Sequence, residues 1–239
     1  MEELKEELDK HVVELHNKVG NMVDLSDDFL DELYSVYPFN RFEYVISHLI
    51  AYEIIDIDNY LEIRNNYFEQ NKFLHIFEIN APRTFGEKWA QNHINEFVPE
   101  LKRPAKKYDS DYAGQYDFWL DGIRIEVKAS RAVDKDSEES LVMKALSTQS
   151  ERRFDMNFQQ IKPACCDVFV WVGVWRDEIR YWVLSSDEVK DNKNYSTGQH
   201  RGNTGEGQLW VTQKNIKEFE EYLVNPRDLF SKIKEKGMM

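Results

Sequence analysis

Cysteine is nearly absent from this sequence. Two occur in 239 residues, side by side at Cys165 and Cys166. Neighbouring cysteines rarely bridge each other, so the pair is expected as reduced thiols near a buried strand, in a reducing cytoplasm. Long apolar runs are also missing. None approaches the roughly 18 residues of a membrane span, and the opening MEELKEELDK is charged where a signal peptide would be apolar. No membrane partner is expected. Positive charge is scarce, with 31 Lys and Arg against 44 Asp and Glu, a net charge of −13. That excludes a protein that coats nucleic acid by overall charge, but not one with a local basic groove. There is no internal repeat, no low-complexity segment, no glycine-rich phosphate loop and no nucleophile elbow, and no organic cofactor is expected. The six histidines lack partners at metal-ligand spacing, and a His-Asn-His nuclease centred on His200 lacks a second half.

Apolar residues make up 41% of the chain and aromatics 13%, enough for a sizeable core. Residues 1–80 read as a helical N-terminal region serving dimerisation or DNA contact. Its apolar positions Leu4, Leu8, Val12 and Leu15 recur at helical spacing. Further helices are expected over Phe42–Ile55 and Tyr60–Phe68. Residues 81–239 read differently. An amphipathic helix over 84–100 leads into a basic loop, a hairpin, and a polar, partly helical stretch from Val133 to Gln160. Asp167–Trp175, DVFVWVGVW, reads as a strand buried on both faces. Arg176-Asp177-Glu178 turns it into a partner strand, and Ser185 with Glu188 forms a capping-box pattern at a helix start. After a polar loop over 191–207 come a short strand from Gln208 to Val211 and two helices. The fold class expected is α/β (α+β): a mixed central sheet flanked by helices, with a helical N-terminal region.

The most informative stretch is YDFWLDGIRIEVK, residues 116–128. Asp121-Gly122 is a strong two-residue hairpin signal, and such a loop determines the register. Leu120 then faces Ile123, Trp119 faces Arg124, Phe118 faces Ile125 and Asp117 faces Glu126. Opposed residues share a sheet face, where like charges repel. Lys128 falls on the face of Glu126, and Ile123, Ile125 and Val127 on the other. Two carboxylates and an ammonium therefore meet on one face. A divalent cation would relieve the repulsion; hard oxygen ligands suit Mg²⁺, with the Val127 carbonyl as a further donor. Lys128 would hold the attacking water or steady charge developing on phosphorus. The alternative is a solvated hairpin whose acids are satisfied by Arg124 and Lys128. In the preceding helix, Ala90, Ile94, Phe97 and Leu101 mark a stripe that reaches back to Glu87. Glu87 is either a third carboxylate aimed at the hairpin or an acid near the helix N-terminus.

Glu87, Asp117 and Glu126-Val127-Lys128 together resemble the PD-(D/E)XK nuclease superfamily, type II restriction endonucleases in particular, over about residues 83–211. Tyr116 stands where the family's name has proline, and Asp111 and Asp121 are rivals to Asp117. The resemblance implies a mixed-sheet core and hydrolysis of phosphodiesters with Mg²⁺, Mn²⁺ being able to substitute. Asp117 and Glu126 would ligate the metal, Lys128 would be the catalytic lysine and Glu87 an accessory acid. Gln159 or Gln160 would answer to a glutamine that members often carry near the site.

Basic residues cluster around the hairpin: Lys102, Arg103, Lys106 and Lys107 before it, then Arg131, Arg152, Arg153 and Lys162. Lys and Arg to phosphates position a duplex; Arg, Asn and Gln to base edges specify sequence. The loop carrying His200, Arg201 and Asn203 is assigned to sequence readout. The expectation is a homodimeric, cytoplasmic, Mg²⁺-dependent endonuclease cutting double-stranded DNA at a specific sequence. A repair or junction-resolving nuclease, and a silent DNA-binding or interaction module, are the alternatives.

Overall fold

The computed structural model describes residues 2–20, 41–198 and 206–238, and the chain divides into two compact units, Met1–Gln70 and Asn71–Met239. The fold is mixed α and β. Among the described residues, no helix is long and apolar enough to cross a membrane.

The first unit contains helices α1 (Glu2–Val19), α2 (Arg41–Ala51) and α3 (Ile57–Gln70). Its core is small: Leu15, Val45, Leu49 and Ile55, with Val12, Tyr44, Ile50 and Tyr60 against them. The side chains of Leu4, Leu8 and Phe42 lie outside the described residues. Helix α3 buries no residue and exposes Ile57, Leu61 and Phe68.

The second unit begins at Asn71. The Phe73 N–H donates to the Arg176 carbonyl (2.9 Å), and Ile76 and Phe77 enter the main core. A wide, π-helical turn (Thr84–Ala90) then runs into α4 (Gln91–Phe97). Strands β1 (Phe118–Leu120) and β2 (Ile123–Arg131) follow, then β3 (Val133–Asp134), β4 (Phe154–Ile161), β5 (Val168–Val174) and β6 (Ile179–Ser185). Next come α5 (Ser186–Lys190), β7 (Tyr195–Thr197), β8 (Gly207–Thr212), β9 (Leu223–Val224) and α6 (Leu229–Gly237). One sheet has the order β1-β2-β5-β6-β9, with β2 and β5 parallel and its other neighbours antiparallel. A second, antiparallel sheet has the order β3-β4-β8-β7.

Every residue of β5 is buried, as its unbroken apolar run requires. One of its faces packs against Ile94, Val98, Ile125 and Ile233, the other among Phe158, Trp182 and Phe219. Burying each large apolar side chain stabilises the fold by about 1.5–3 kcal/mol. Gly173 of β5 is required by packing: a Cβ there would come within 2.6 Å of the Trp182 ring. The capping box forms as read, with Glu188 N–H donating to Ser185 Oγ and Ser185 N–H to Glu188 Oε2.

The stretch from Val133 to Gln160, expected to be partly helical, instead contains β3 and most of β4. In β4, Phe154, Met156 and Phe158 alternate inward, and a bulge at Gln160 (φ +55°) returns Ile161 to the core. Alternation of period two is the strand signature, and it overrides the helix propensity of a polar segment.

Candidate active site

The β1–β2 hairpin adopts the expected register, Leu120 with Ile123, Trp119 with Arg124 and Phe118 with Ile125. Its loop has positive φ at both Asp121 (49°) and Gly122 (100°), the requirement of the tight hairpin turn that Asp-Gly favours. Ile123, Ile125 and Val127 are buried in the core. The opposite face carries the chemistry.

Asp117 precedes β1, and its backbone N–H donates to the Ile125 carbonyl at 2.9 Å. Both carboxylate oxygens are held: Oδ2 accepts from the Val127 N–H (2.8 Å) and Oδ1 from Gln91 Nε2 (2.7 Å). Gln91 is only 7% exposed, and its own oxygen accepts from Arg103 Nη1 at 2.5 Å. Arg103 in turn lies over the Phe118 ring. A chain of hydrogen bonds thus runs from the basic loop through α4 to the hairpin. Glu126 receives Lys128 Nζ at 2.6 Å, with both side chains about 15% exposed. The Asp117 and Glu126 carboxyls influence each other's charge. Burial raises the Glu126 carboxyl to about 7; Lys128 pulls against the rise and Asp117 adds to it. Burial raises Asp117 too, opposed by the Val127 N–H, Lys128 and Arg103. The cluster thus holds two poorly solvated carboxyls for one ammonium.

Arg124 does not serve these acids. Its guanidinium forms a bidentate pair with Asp167 (2.6 and 3.1 Å), and its N–H bonds the same carboxylate. The rivals lie elsewhere. Asp121 pairs with Lys234 of α6 at the loop end of the hairpin, and Asp111 is exposed beside Asp109. Tyr116 is buried, its hydroxyl donating to Asp109 Oδ2 (2.8 Å), and it anchors the start of the hairpin.

Glu87 requires correction. It is exposed, pairing with Arg83 across one turn at 3.1 Å, and does not face the hairpin. Phe97, placed on the same stripe, is 43% exposed. The wide turn explains the first; Phe97 is the last residue of α4, and Val98 just beyond it takes the buried place. Bonding to the fifth residue rather than the fourth advances the helix phase, so the buried set runs Phe85, Ala90, Ile94, Val98 and Leu101. Gln91, four residues beyond Glu87, takes the position facing Asp117. A widened turn leaves no mark in apolar spacing, and a buried glutamine carries no charge signal, so Gln91 was missed.

Among the described residues, no group of three or more His, Cys, Asp and Glu side chains converges to hold a metal. The donor set at the hairpin is two carboxylates. It fits a hard divalent cation that takes one or two protein carboxylates and fills its remaining positions from water and phosphate.

The expected DNA-contact residues divide by what they already bind. Lys102 forms an isolated antiparallel bridge to Trp119, and its ammonium and that of Lys107 lie over the Tyr108 ring. Lys106 is exposed. Arg131 is committed to the fold: it donates to the Ile76 and Ile79 carbonyls and lies over the Phe85 ring at 4.2 Å. Arg152 pairs with the buried Asp134, and Arg153 with Asp136. Gln159 and Gln160 are exposed on β4, Gln159 opposite Gln208. His200, Arg201 and Asn203 lie outside the described residues. Cys165 and Cys166 are free thiols, and burial pushes the Cys166 thiol well up. An open groove of about 340 Å³ beside α4, lined by Lys88, Trp89, Asn92 and His93 among others, contains none of the hairpin residues. No protein-family model matches the chain, and no curated protein matches it.

Proposed function

We propose that this chain is a Mg²⁺-dependent endonuclease of the restriction type, hydrolysing phosphodiester bonds in double-stranded DNA, with one site per subunit of a homodimer. The observation that carries this reading is the convergence of Asp117, Glu126 and Lys128 on one face of the hairpin, more buried than surface charges ordinarily are. Asp117 and Glu126 would hold the cation, which when bound supplies positive charge to the phosphate and acidifies water.

The rest follows from the chain's own groups. Gln91 and the Val127 N–H keep Asp117 from swinging away. Lys128, now paired with Glu126, has further N–H donors for the phosphate oxygen that gains charge on attack. Arg103, beside Gln91, is the nearest described cation of the basic loop and would take a neighbouring phosphate. Two-fold symmetry would present two such sites to the two strands of a palindrome.

A silent DNA-binding or interaction module is favoured by one observation, the lack of a third converging acid among the described residues. Incubating supercoiled plasmid with the protein and Mg²⁺ separates the readings. Discrete bands support restriction; nicks or a smear point to a repair or junction-resolving nuclease. Intact plasmid overturns nuclease activity.

A further inference from the structure

A second cation, Lys162, lies in the turn between β4 and β5. Beyond the bulge at Gln160, Ile161 pairs with Gly207, and Lys162 leaves the sheet. The Lys162 carbonyl accepts from the Cys165 N–H (2.9 Å), closing the turn that enters β5. The first rungs of β5 pair Val168 with Ile125 and Phe169 with Glu126. The connection therefore delivers Lys162 to the end of β2 that carries the site. Its ammonium donates to Glu206 Oε1 at 2.8 Å.

The burial of this pair is lopsided. The Glu206 side chain is 3% exposed, that of Lys162 42%. A carboxylate buried so deeply is costly unless it is paired. Glu206 sits at the start of β8, with its carbonyl accepting from the Gly198 N–H (3.0 Å). The anion is thus held in the protein while the cation projects. The Glu206 bond raises the Lys162 ammonium above its ordinary value, against the opposing pull of burial. Glu126 adds to the rise at longer range.

We propose that Lys162 is a phosphate-binding residue of the candidate site, taking a non-bridging oxygen of the nucleic-acid backbone, and that Glu206 is the residue that positions it. The inference rests on the nuclease reading. An ammonium is a compact charge with three donors, one of which goes to Glu206. Glu206 itself is too buried to touch substrate and acts through Lys162.

The test measures binding of a short fluorescein-labelled duplex without Mg²⁺ over a salt series, then plasmid cleavage with Mg²⁺. Lys162→Ala should weaken binding about tenfold and make the salt slope shallower by about one, as loss of one phosphate contact does. Lys162→Arg should retain both. Lys135→Ala removes a cation paired with Asp155 instead, and should change neither. Lys162→Ala removes a cation from a buried carboxylate, so the double variant Lys162→Met with Glu206→Gln, which removes both charges, guards against misfolding and should show the same loss. Glu206→Gln should weaken binding alone but cost nothing further when Lys162 is already Met; a merely structural role would add its own loss. Wild-type affinity and slope in the folded double variant would overturn the proposal, as would an equal loss in Lys135→Ala. If wild type binds with the Lys162-dependent slope but leaves plasmid intact, the nuclease reading fails and the phosphate contact stands. If it cleaves and the Lys162 variants bind like wild type, only the contact fails; if it neither binds nor cleaves, both fail.

Discussion

Two ion-pair clusters share one face of β2, two residues apart, and they are built on opposite principles. Around Arg124, one guanidinium meets one carboxylate, Asp167, through a bidentate pair and a backbone bond. Burial alone would raise Asp167, but those bonds outweigh it and hold the carboxyl below its ordinary value. Around Lys128, one ammonium is shared by two carboxylates, and both are raised. The first cluster is at rest and locks β2 to the start of β5, where the Asp167 N–H also donates to the Arg124 carbonyl. The second holds two carboxyls strained chiefly by burial, a strain that a bound cation would relieve. On one strand, charge balance separates a structural pair from a candidate site.

The largest effects should fall on the unbalanced cluster. Asp117→Ala and Lys128→Ala are each expected to lower plasmid cleavage per folded molecule by about 10²–10³-fold or more, since each removes a charge-stabilising group at the reacting phosphate. Full activity of Asp117→Ala would overturn the assignment of the centre. Arg124→Ala should leave cleavage by the folded fraction intact, and a loss as deep as that of Lys128→Ala would erase the contrast between the clusters.

Next in size is the strain on the Glu126 carboxyl, chiefly from burial with Asp117 adding to it, read in the metal-free protein. The folded Glu126 carboxyl, at about 7, holds its proton longer than the ordinary value of 4.5 allows. Stability therefore falls as pH rises from about 4.5 to about 7 and is level above. A rise of that size corresponds to about 3 kcal/mol, reduced by the loss of the Lys128 bond on mutation. Glu126→Gln should accordingly raise the melting temperature at pH 8 and have little effect at pH 4.5; equal effects at both would show that the carboxylate is not strained. Asp167 has the opposite sign. Its depressed value adds stability above the ordinary carboxylate range, lost as pH falls through the folded value, so Asp167→Asn should be most destabilising at neutral pH.

Smaller again, Arg124→Ala should cost about 1–2 kcal/mol by denaturant unfolding, because both partners are partly exposed and screened. The smallest effect belongs to Glu87→Gln: cleavage unchanged and stability within about 0.5 kcal/mol, the scale of an exposed pair one turn apart. Gln91→Ala, by contrast, should reduce cleavage, because it frees Asp117. A reversed ranking of these two variants would restore Glu87 to the site.

Legibility in the sequence followed the range of the deciding interaction. Asp121-Gly122 turns the chain within two residues and so determines every pairing down to Phe118 with Ile125. The apolar run of β5 and the Ser185–Glu188 cap are equally local. The helix before the hairpin is different. Its apolar spacing allowed a stripe through Glu87 and Phe97, whereas the wide turn at Thr84–Ala90 exposes Glu87 and buries Gln91, and the end of the helix at Phe97 gives the buried place to Val98. The cations divide in the same way. Arg131, Arg152 and Arg153 look alike in sequence as free basic residues, but each is taken by a partner distant in the chain, at Ile79, Asp134 and Asp136 respectively.

By itself, then, the sequence determined which residues share the charged face of the hairpin, because alternation along a strand and a two-residue loop leave one register. It also determined that β5 is buried on both faces, since an unbroken apolar run has no side to give to water. Only the tertiary structure decided that Arg124 leaves the acids for Asp167, that Gln91 rather than Glu87 meets Asp117, and that Glu206 holds Lys162. Each of these is a pairing of polar groups across dozens of residues. Such pairings depend on burial and on competing partners, and the packing of the two sheets settles both after local geometry has done its part.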